Sequence, residues 1–461
     1  MKAPLKVEVL TGPPGSGKTR QMRLDAVAEP GLYAFAFPGI ELLEEQAGEF
    51  KQAGLPFWKV HSETNGRAAI QKQLNEQLKR IAAAGVTHGA VLMTHYALVA
   101  CDHSGMEGWR WRIDEAPTFH TNGVVKVAAG DLELWKRAIA LKGQDGGWSI
   151  AVAKTSRTLS DLKHGLFKEH ADLLKAASRG AALIATDKWE AGRHAWLSLW
   201  TPRALPSPHS IVISGAGFSR SISALAFQEF FAGQIAITEQ VADRPRTAQP
   251  DVHIHHFAAW EASSSHWDSH GGRGDLKAIA AHIRKHQPDL GYWSGNEQVQ
   301  LLMDHYIAPI EARAAKAAGL NKHDQATSTA YIYSSKATPQ DIGLLEAIGL
   351  TADQIRTARE DEDIFQFVFR GSIRRPEFGG RYDIWLFSQQ QAGRLATMLR
   401  EAGLAKVSLH KADAGVSAQA PQRPKKGRPR KHIGETKDEK RARLANEQMA
   451  RRHRKKRTEH A

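Results

Sequence analysis

Leu10-Thr11-Gly12-Pro13-Pro14-Gly15-Ser16-Gly17-Lys18-Thr19 satisfies G-x-x-x-x-G-K-[ST] at every fixed position. The chemistry of such a stretch is phosphate binding. Its glycines let the backbone curl so that successive N–H groups face a phosphate chain. Lys18 brings a point charge to the β- and γ-phosphates, and the Thr19 hydroxyl is a ligand for Mg²⁺. ATP with Mg²⁺ is the expected occupant, cradled by Gly12, Pro13, Pro14, Gly15, Ser16, Gly17, Lys18 and Thr19. Further along, Asp114-Glu115-Ala116-Pro117 sets two adjacent acids at the end of an apolar run. Adjacent acids there are costly unless a metal or a lysine meets them. Asp114 is accordingly read as a second metal ligand and Glu115 as the group that polarises an attacking water.

These groups need particular elements to hold them. Val7-Glu8-Val9-Leu10 reads as a strand, and Arg20 to Val27 as the helix that the phosphate loop opens. Leu32 to Phe37, Ala90 to His95, Trp109 to Asp114 and Ser210 to Ser214 read as buried strands, with helices over 39–50 and 66–84. Strands alternating with helices imply a parallel α/β sheet covered on both faces. Between about 120 and 208 the pattern loosens and tryptophans accumulate (Trp135, Trp148, Trp189, Trp196, Trp200), which we read as a mainly helical insertion with the indoles in its packing. Residues 239–252, polar with two prolines, read as a linker. A second αβ series follows, with strands near 252–258, 329–333 and 382–388 and helices near 275–286, 297–318, 339–346 and 351–359. Asp361, Glu362 and Asp363 fall in an expected loop.

The chain has 461 residues, 42% of them hydrophobic, so it can build two or three domains. No apolar run approaches the length needed to span a bilayer. The N-terminal residues lack a signal-peptide core, and cytoplasmic location is the expectation. A single cysteine, Cys101, excludes an intrachain disulfide. The histidines His253, His255 and His256 alternate along a strand and cannot all face one metal, so they read as structural. Net charge is +14, and residues 421–461 hold 16 Lys and Arg against 5 Asp and Glu, leaving about +3 for everything before them. From about 408 large apolar residues are almost absent, which is the composition of a disordered tail. A polycationic tail calls for a polyanionic partner, most simply nucleic acid. Lys425-Lys426-Gly427-Arg428-Pro429-Arg430-Lys431 resembles an AT-hook, whose slim Arg-Pro-Arg core suits the narrow A·T minor groove. Arg428, Arg430 and Lys431 are the expected contacts; an unspecific polybasic tail is the other reading.

Taken in order, the motifs resemble those of superfamily 2 helicases of the DEAD/DEAH-like group, and are similar to divergent members carried by phages and plasmids. Pro38-Gly39-Ile40-Glu41-Leu42-Leu43-Glu44-Glu45-Gln46 resembles the P-T-x-x-L-x-x-Q segment, with Gly39 in place of Thr and the glutamine offset by one. Thr94-His95-Tyr96-Ala97-Leu98 resembles T-H-x-x-L, and the resemblance implies that both segments, Thr94 and His95 included, touch the nucleic-acid backbone. Asp114-Glu115-Ala116-Pro117 stands where D-E-A-D or D-E-A-H would, and Ser214-Gly215-Ala216 resembles S-A-T. Gln366-Phe367-Val368-Phe369-Arg370-Gly371-Ser372-Ile373-Arg374-Arg375 resembles motif VI, implying that Gln366, Arg370 and Arg374 face the γ-phosphate from a second domain. Gly319 to Asp324 stands loosely where motif V would. The implied architecture is two tandem RecA-like P-loop α/β domains, over 1–238 and 253–407, with the helical insertion, the 239–252 linker and a disordered basic tail over 408–461. The implied activity is ATP-dependent unwinding or translocation on nucleic acid, DNA favoured over RNA, in phage or plasmid replication or repair. Two alternatives are an ATP-switched DNA-binding replication or partition factor and a terminase-like packaging ATPase. The latter needs a second set of clustered acids, for which only Asp361, Glu362 and Asp363 offer themselves.

Overall fold

Seven parallel strands form the first sheet, in the order Ile235–Val241, Leu5–Thr11, Ser210–Ser214, Arg110–Asp114, Leu32–Phe37, Gly89–Thr94 and Phe57–Val60. The computed structural model describes residues 3–417, apart from 62–66, 116, 118–119, 143–147, 155–169, 179–181, 187–188, 230–232, 243–245, 308–322, 336–341, 343–344 and 347–348. The central strands read as unbroken apolar runs because helices cover both of their faces. On one face, the helices Lys18–Ala28 and Ile40–Gln52 set Met22, Leu43 and Phe50 against Phe35 and Leu92. On the other, Leu74, Ile81, Leu98 and Phe227 cover Val9, Val91 and Ile113.

The third sheet is also parallel, in the order Tyr292–Gly295, Ser328–Ile332, Arg381–Ser388, Asp251–Ala258 and Lys406–Lys411. The helices His270–His286 and Glu297–Ile307 cover one face through Leu276, Ile279, Ile283 and Met303. The helices Glu362–Val368 and Gln389–Glu401 cover the other through Phe365, Val368, Leu395 and Leu399.

Several sequence expectations change. Among the described residues the insertion is not mainly helical; residues 159–169 of the helix expected over 159–177 lie outside them. It is a five-stranded antiparallel sheet, in the order His120–Lys126, Arg193–Leu199, Ala182–Ala185, Trp148–Ala153 and Ile139–Lys142. Its strands are short and alanine-rich, so their period of two is brief and their composition resembles that of helices. The helices Leu132–Ala138 and Ala171–Ser178 do belong to it. Trp135 and Trp196 lie buried in the core between the sheet and the second of these helices. The expected linker narrows, because residues up to Val241 and from Asp251 are already strand. The expected tail starts too early. Residues 406–411 pair with Asp251–Ala258, and Trp260 Nε1 donates to the Ser417 carbonyl at 2.9 Å. The polar alternation of Lys406–Lys411 is that of a half-exposed edge strand. Asp361, Glu362 and Asp363 lie in helix rather than loop, where a π-turn over Thr357–Asp361 runs into Glu362–Val368. Most of the helix expected over 339–346 lies outside the described residues, as does 308–318 of the helix expected over 297–318.

One apolar cluster has three contributors. Leu183 and Leu197 come from the insertion, Ile222, Leu225 and Ala226 from the helix that follows Ser210–Ser214, and Leu345, Leu350, Ile355 and Ala358 from the second lobe. The insertion therefore rests on both lobes at once.

Candidate active site

The phosphate loop leaves the strand Leu5–Thr11 and enters the helix Lys18–Ala28. Gly12, Gly15 and Gly17 take φ of 136°, 85° and 86°, a region that a side chain would make strained. Lys18 folds back over the loop, its Nζ donating to the carbonyls of Gly12 (2.7 Å) and Pro13 (2.9 Å). Burial pulls its pKa down to about 8, while Asp114 and Glu115 oppose that fall. An ammonium held in a glycine cradle by neutral carbonyls fits a polyphosphate, which supplies the anion.

Asp114 ends its strand directly beside Ser214 on the neighbouring one. Ser214 Oγ donates to Asp114 Oδ1 at 2.5 Å, and Thr19 Oγ1 donates to the same oxygen at 3.0 Å. Burial pushes the Asp114 carboxyl up, and these two hydroxyls and Lys18 pull it back. A carboxylate and a hydroxyl converging beside the loop are the hard-oxygen donors that Mg²⁺ prefers, so Thr19 and Asp114 fit that ion. The next residue, Glu115, sits at φ 63°, left-handed without being glycine. That geometry costs on the order of 1–2 kcal/mol. It turns the Glu115 carboxylate out of the strand and into the cleft. Burial, then Asp114 and then Glu362, push its pKa up to about 8.

Thr94 and His95, expected at the nucleic-acid backbone, are turned into the core. Both are buried at 5% exposure. Thr94 caps the short helix His95–Ala100 by accepting from Ala97 N–H, and His95 Nε2 bonds the Asp114 carbonyl at 2.9 Å. Burial holds the imidazole neutral, its pKa pulled down to about 4. The T-H-x-x-L segment thus braces the end of the acid-bearing strand from within the core. Gln46, expected with the other nucleic-acid segment, is also buried and accepts from Arg23 Nη1 at 3.2 Å, on the wall of the same cleft.

The second lobe closes the opposite side. A cleft of ≈ 350 Å³ has Lys18, Thr19, Asp114 and Glu115 on one wall and Gln366, Arg370 and Arg374 on the other. Arg374 lies so close to the loop that a Cβ on Gly15 would be 2.5 Å from its Cγ. Arg370 lies over the Phe367 ring, 4.9 Å from its centroid. Burial lowers the pKa of both arginines, with Glu115 among the charges that oppose it. The helix that aims them is tied down at its C-terminal end. Tyr292 Oη donates toward the Phe367 and Val368 carbonyls at 2.9 Å and meets Tyr382 Oη at 2.9 Å. Sequence reasoning counted Glu362 only among the acids of the packaging alternative; here it accepts from Gln366 Nε2 at 2.9 Å. The spacing Glu362, Gln366, Arg370 repeats every four residues, one helical face, and would have pointed to it. Arg428, Arg430 and Lys431 lie outside the described residues, as does most of Gly319 to Asp324.

No family model and no curated protein matches the sequence. Among solved structures the chain is similar to an XPD helicase, at 10% identity and TM-score 0.49, covering 88% of this chain and 96% of that one. It is similar also to S. cerevisiae Dbp5 bound to RNA and ADP BeF3, at 9% identity and TM-score 0.41, covering 90% and 87%. A third is the DUF1998 helicase MrfA, at 10% identity and TM-score 0.31, covering 87% of this chain and 49% of that one. Two parallel sheets in tandem, with the phosphate loop on one and the arginines packed beside the other, make an α/β fold whose two halves share the cleft.

Proposed function

We propose that this chain is an ATP-dependent nucleic-acid helicase or translocase. One observation carries the reading: the phosphate loop of the first lobe and the arginines of the second face a single cleft. A site divided in this way is complete only when two bodies meet, so occupancy by a nucleoside triphosphate is coupled to their closure. Lys18 and the loop N–H groups bind the phosphates, and Thr19 and Asp114 hold Mg²⁺, which offsets phosphate charge when bound. Glu115 accepts the proton of the attacking water and orients it. Arg370 and Arg374, with Gln366 beside them, meet charge that builds on the γ-phosphoryl oxygens.

We assign the first lobe to the residues up to Val241, with the antiparallel insertion, and the second to 251–417. The basic segment beyond 417 is the proposed nucleic-acid arm, with Arg428, Arg430 and Lys431 as its contacts. Its Arg-Pro-Arg core favours DNA over RNA in this reading. The packaging-motor alternative is disfavoured, because Asp361 is paired with Arg394 at 2.6 Å and Glu362 accepts from Gln366 at 2.9 Å. The test is ATP hydrolysis stimulated by single-stranded DNA. Lys18→Ala is expected to abolish it; turnover that survives this change overturns the assignment of the site.

A further inference from the structure

We infer that Glu362 is a positioning residue of this site, joining the loop after Ser214 on the first lobe to Gln366 on the second. The inference rests on the reading of Gln366 as a residue of the ATP site. Glu362 opens the helix Glu362–Val368 and stands one turn ahead of Gln366. Gln366 Nε2 donates to Glu362 Oε1 at 2.9 Å. An ionised carboxylate only accepts, so it takes the NH₂ end of the amide and leaves the carbonyl oxygen of Gln366 for the cleft. There that oxygen can accept from the O–H of a water held by Glu115.

The second Glu362 oxygen reaches across the seam. Oε2 lies against Gly217, where any Cβ would collide with the carboxylate, and Arg220 Nη2 stands 4.0 Å away. Gly217 and Arg220 belong to the loop that follows Ser214, and Ser214 holds Asp114. Contacts therefore run from the metal-site acid through Ser214 and its loop to Glu362, and on to Gln366. Burial pushes the Glu362 carboxyl up and Asp363 adds to this, while Gln366, Arg220 and Lys18 pull the other way. A carboxylate in that position makes the amide orientation depend on how the two lobes meet.

Gly217 supplies the test, since its φ of −123° is not left-handed and the three atoms nearest a methyl group placed there all belong to Glu362. Steady-state ATP hydrolysis by the full chain with single-stranded DNA is the assay. Glu362→Ala is expected to lower kcat about tenfold while KM for ATP stays within about twofold, as for an interaction made in the transition state. Glu362→Gln, whose amide oxygen still accepts from Gln366, is expected to keep kcat within about threefold of wild type. Gly217→Ala should lower kcat about tenfold alone and add nothing when combined with Glu362→Ala. It should likewise add nothing to Gln366→Ala, a comparison that stands if Glu362→Ala does not fold. Equal losses from Gly217→Ala in every background, or a loss expressed in KM instead of kcat, would overturn the role given to Glu362. The broader reading fails separately, when the wild-type chain hydrolyses no ATP or Lys18→Ala hydrolyses it equally well.

Discussion

Among single residues, the arginine just beyond the helix Glu362–Val368 is expected to matter most to turnover. Arg370 is buried at 5% exposure and reaches Glu115 electrostatically from the opposite lobe. Arg370→Ala is expected to cut kcat by about 10²–10³ with nucleotide binding largely kept, read by single-turnover hydrolysis beside equilibrium binding of an ATP analogue. Much of this site was legible in the sequence. The loop and the acid pair announce themselves through fixed spacings that chemistry demands, and Gln366 to Arg370 through one helical turn. Thr94 and His95 misled because a motif records which residues recur together, not which way they point. A buried imidazole bonded to a backbone carbonyl looks the same in sequence as an exposed one. Glu362 was half visible, its spacing to Gln366 being in the sequence and its other contacts not. Its partners Gly217 and Arg220 lie far away in the chain, and only tertiary packing makes them neighbours.

At the scale of elements, the central parallel strands were easy to read because burial on both faces leaves a continuous apolar run. The antiparallel insertion was not, because alanine-rich strands of four to seven residues give little period to detect. The third sheet also holds a charge network with a measurable signature. Asp383 accepts from His255 Nε2 at 2.9 Å and from Arg381 Nε at 2.8 Å. Burial alone would raise its carboxyl, but these two partners outweigh it and hold the group far below the usual range. A depressed folded-state pKa stabilises above the unfolded value of about 4, and the contribution is lost as pH falls toward the folded value. Asp383→Asn is therefore expected to lower stability at neutral pH and to flatten its decline below about pH 4. Denaturant melts across that range measure both effects, and parallel slopes for variant and wild type would remove Asp383 from the account.

For the whole molecule, charge and architecture divide the work. Residues 421–461 contribute a net +11 of the chain's +14. Removing residues 418–461 is expected to leave basal ATP hydrolysis in place, weaken binding to single-stranded DNA, and reduce the slope of log affinity against log salt. Salt titrations followed by fluorescence anisotropy read this directly, and an unchanged slope would move the nucleic-acid surface onto the lobes. The cluster shared by the insertion and both lobes gives the same scale a mechanical side, since a lobe cannot shift there without repacking Leu183, Leu197 and Leu345.

The hydrogen bond from Ser214 to Asp114 joins residues 100 positions apart, because the whole insertion serves as the crossover between two adjacent parallel strands. Contacts of such long sequence separation pay loop-closure entropy before they return anything, and they form late. The corner of Asp114 and Ser214 thus closes only after the two ends of the insertion have been brought together. In refolding from denaturant, recovery of tryptophan fluorescence should run ahead of recovery of ATP turnover, with the lag shortened when the insertion is replaced by a short connection. Newly made chains would then pass through a stage in which tryptophans are already packed and the corner around Asp114 has not yet closed.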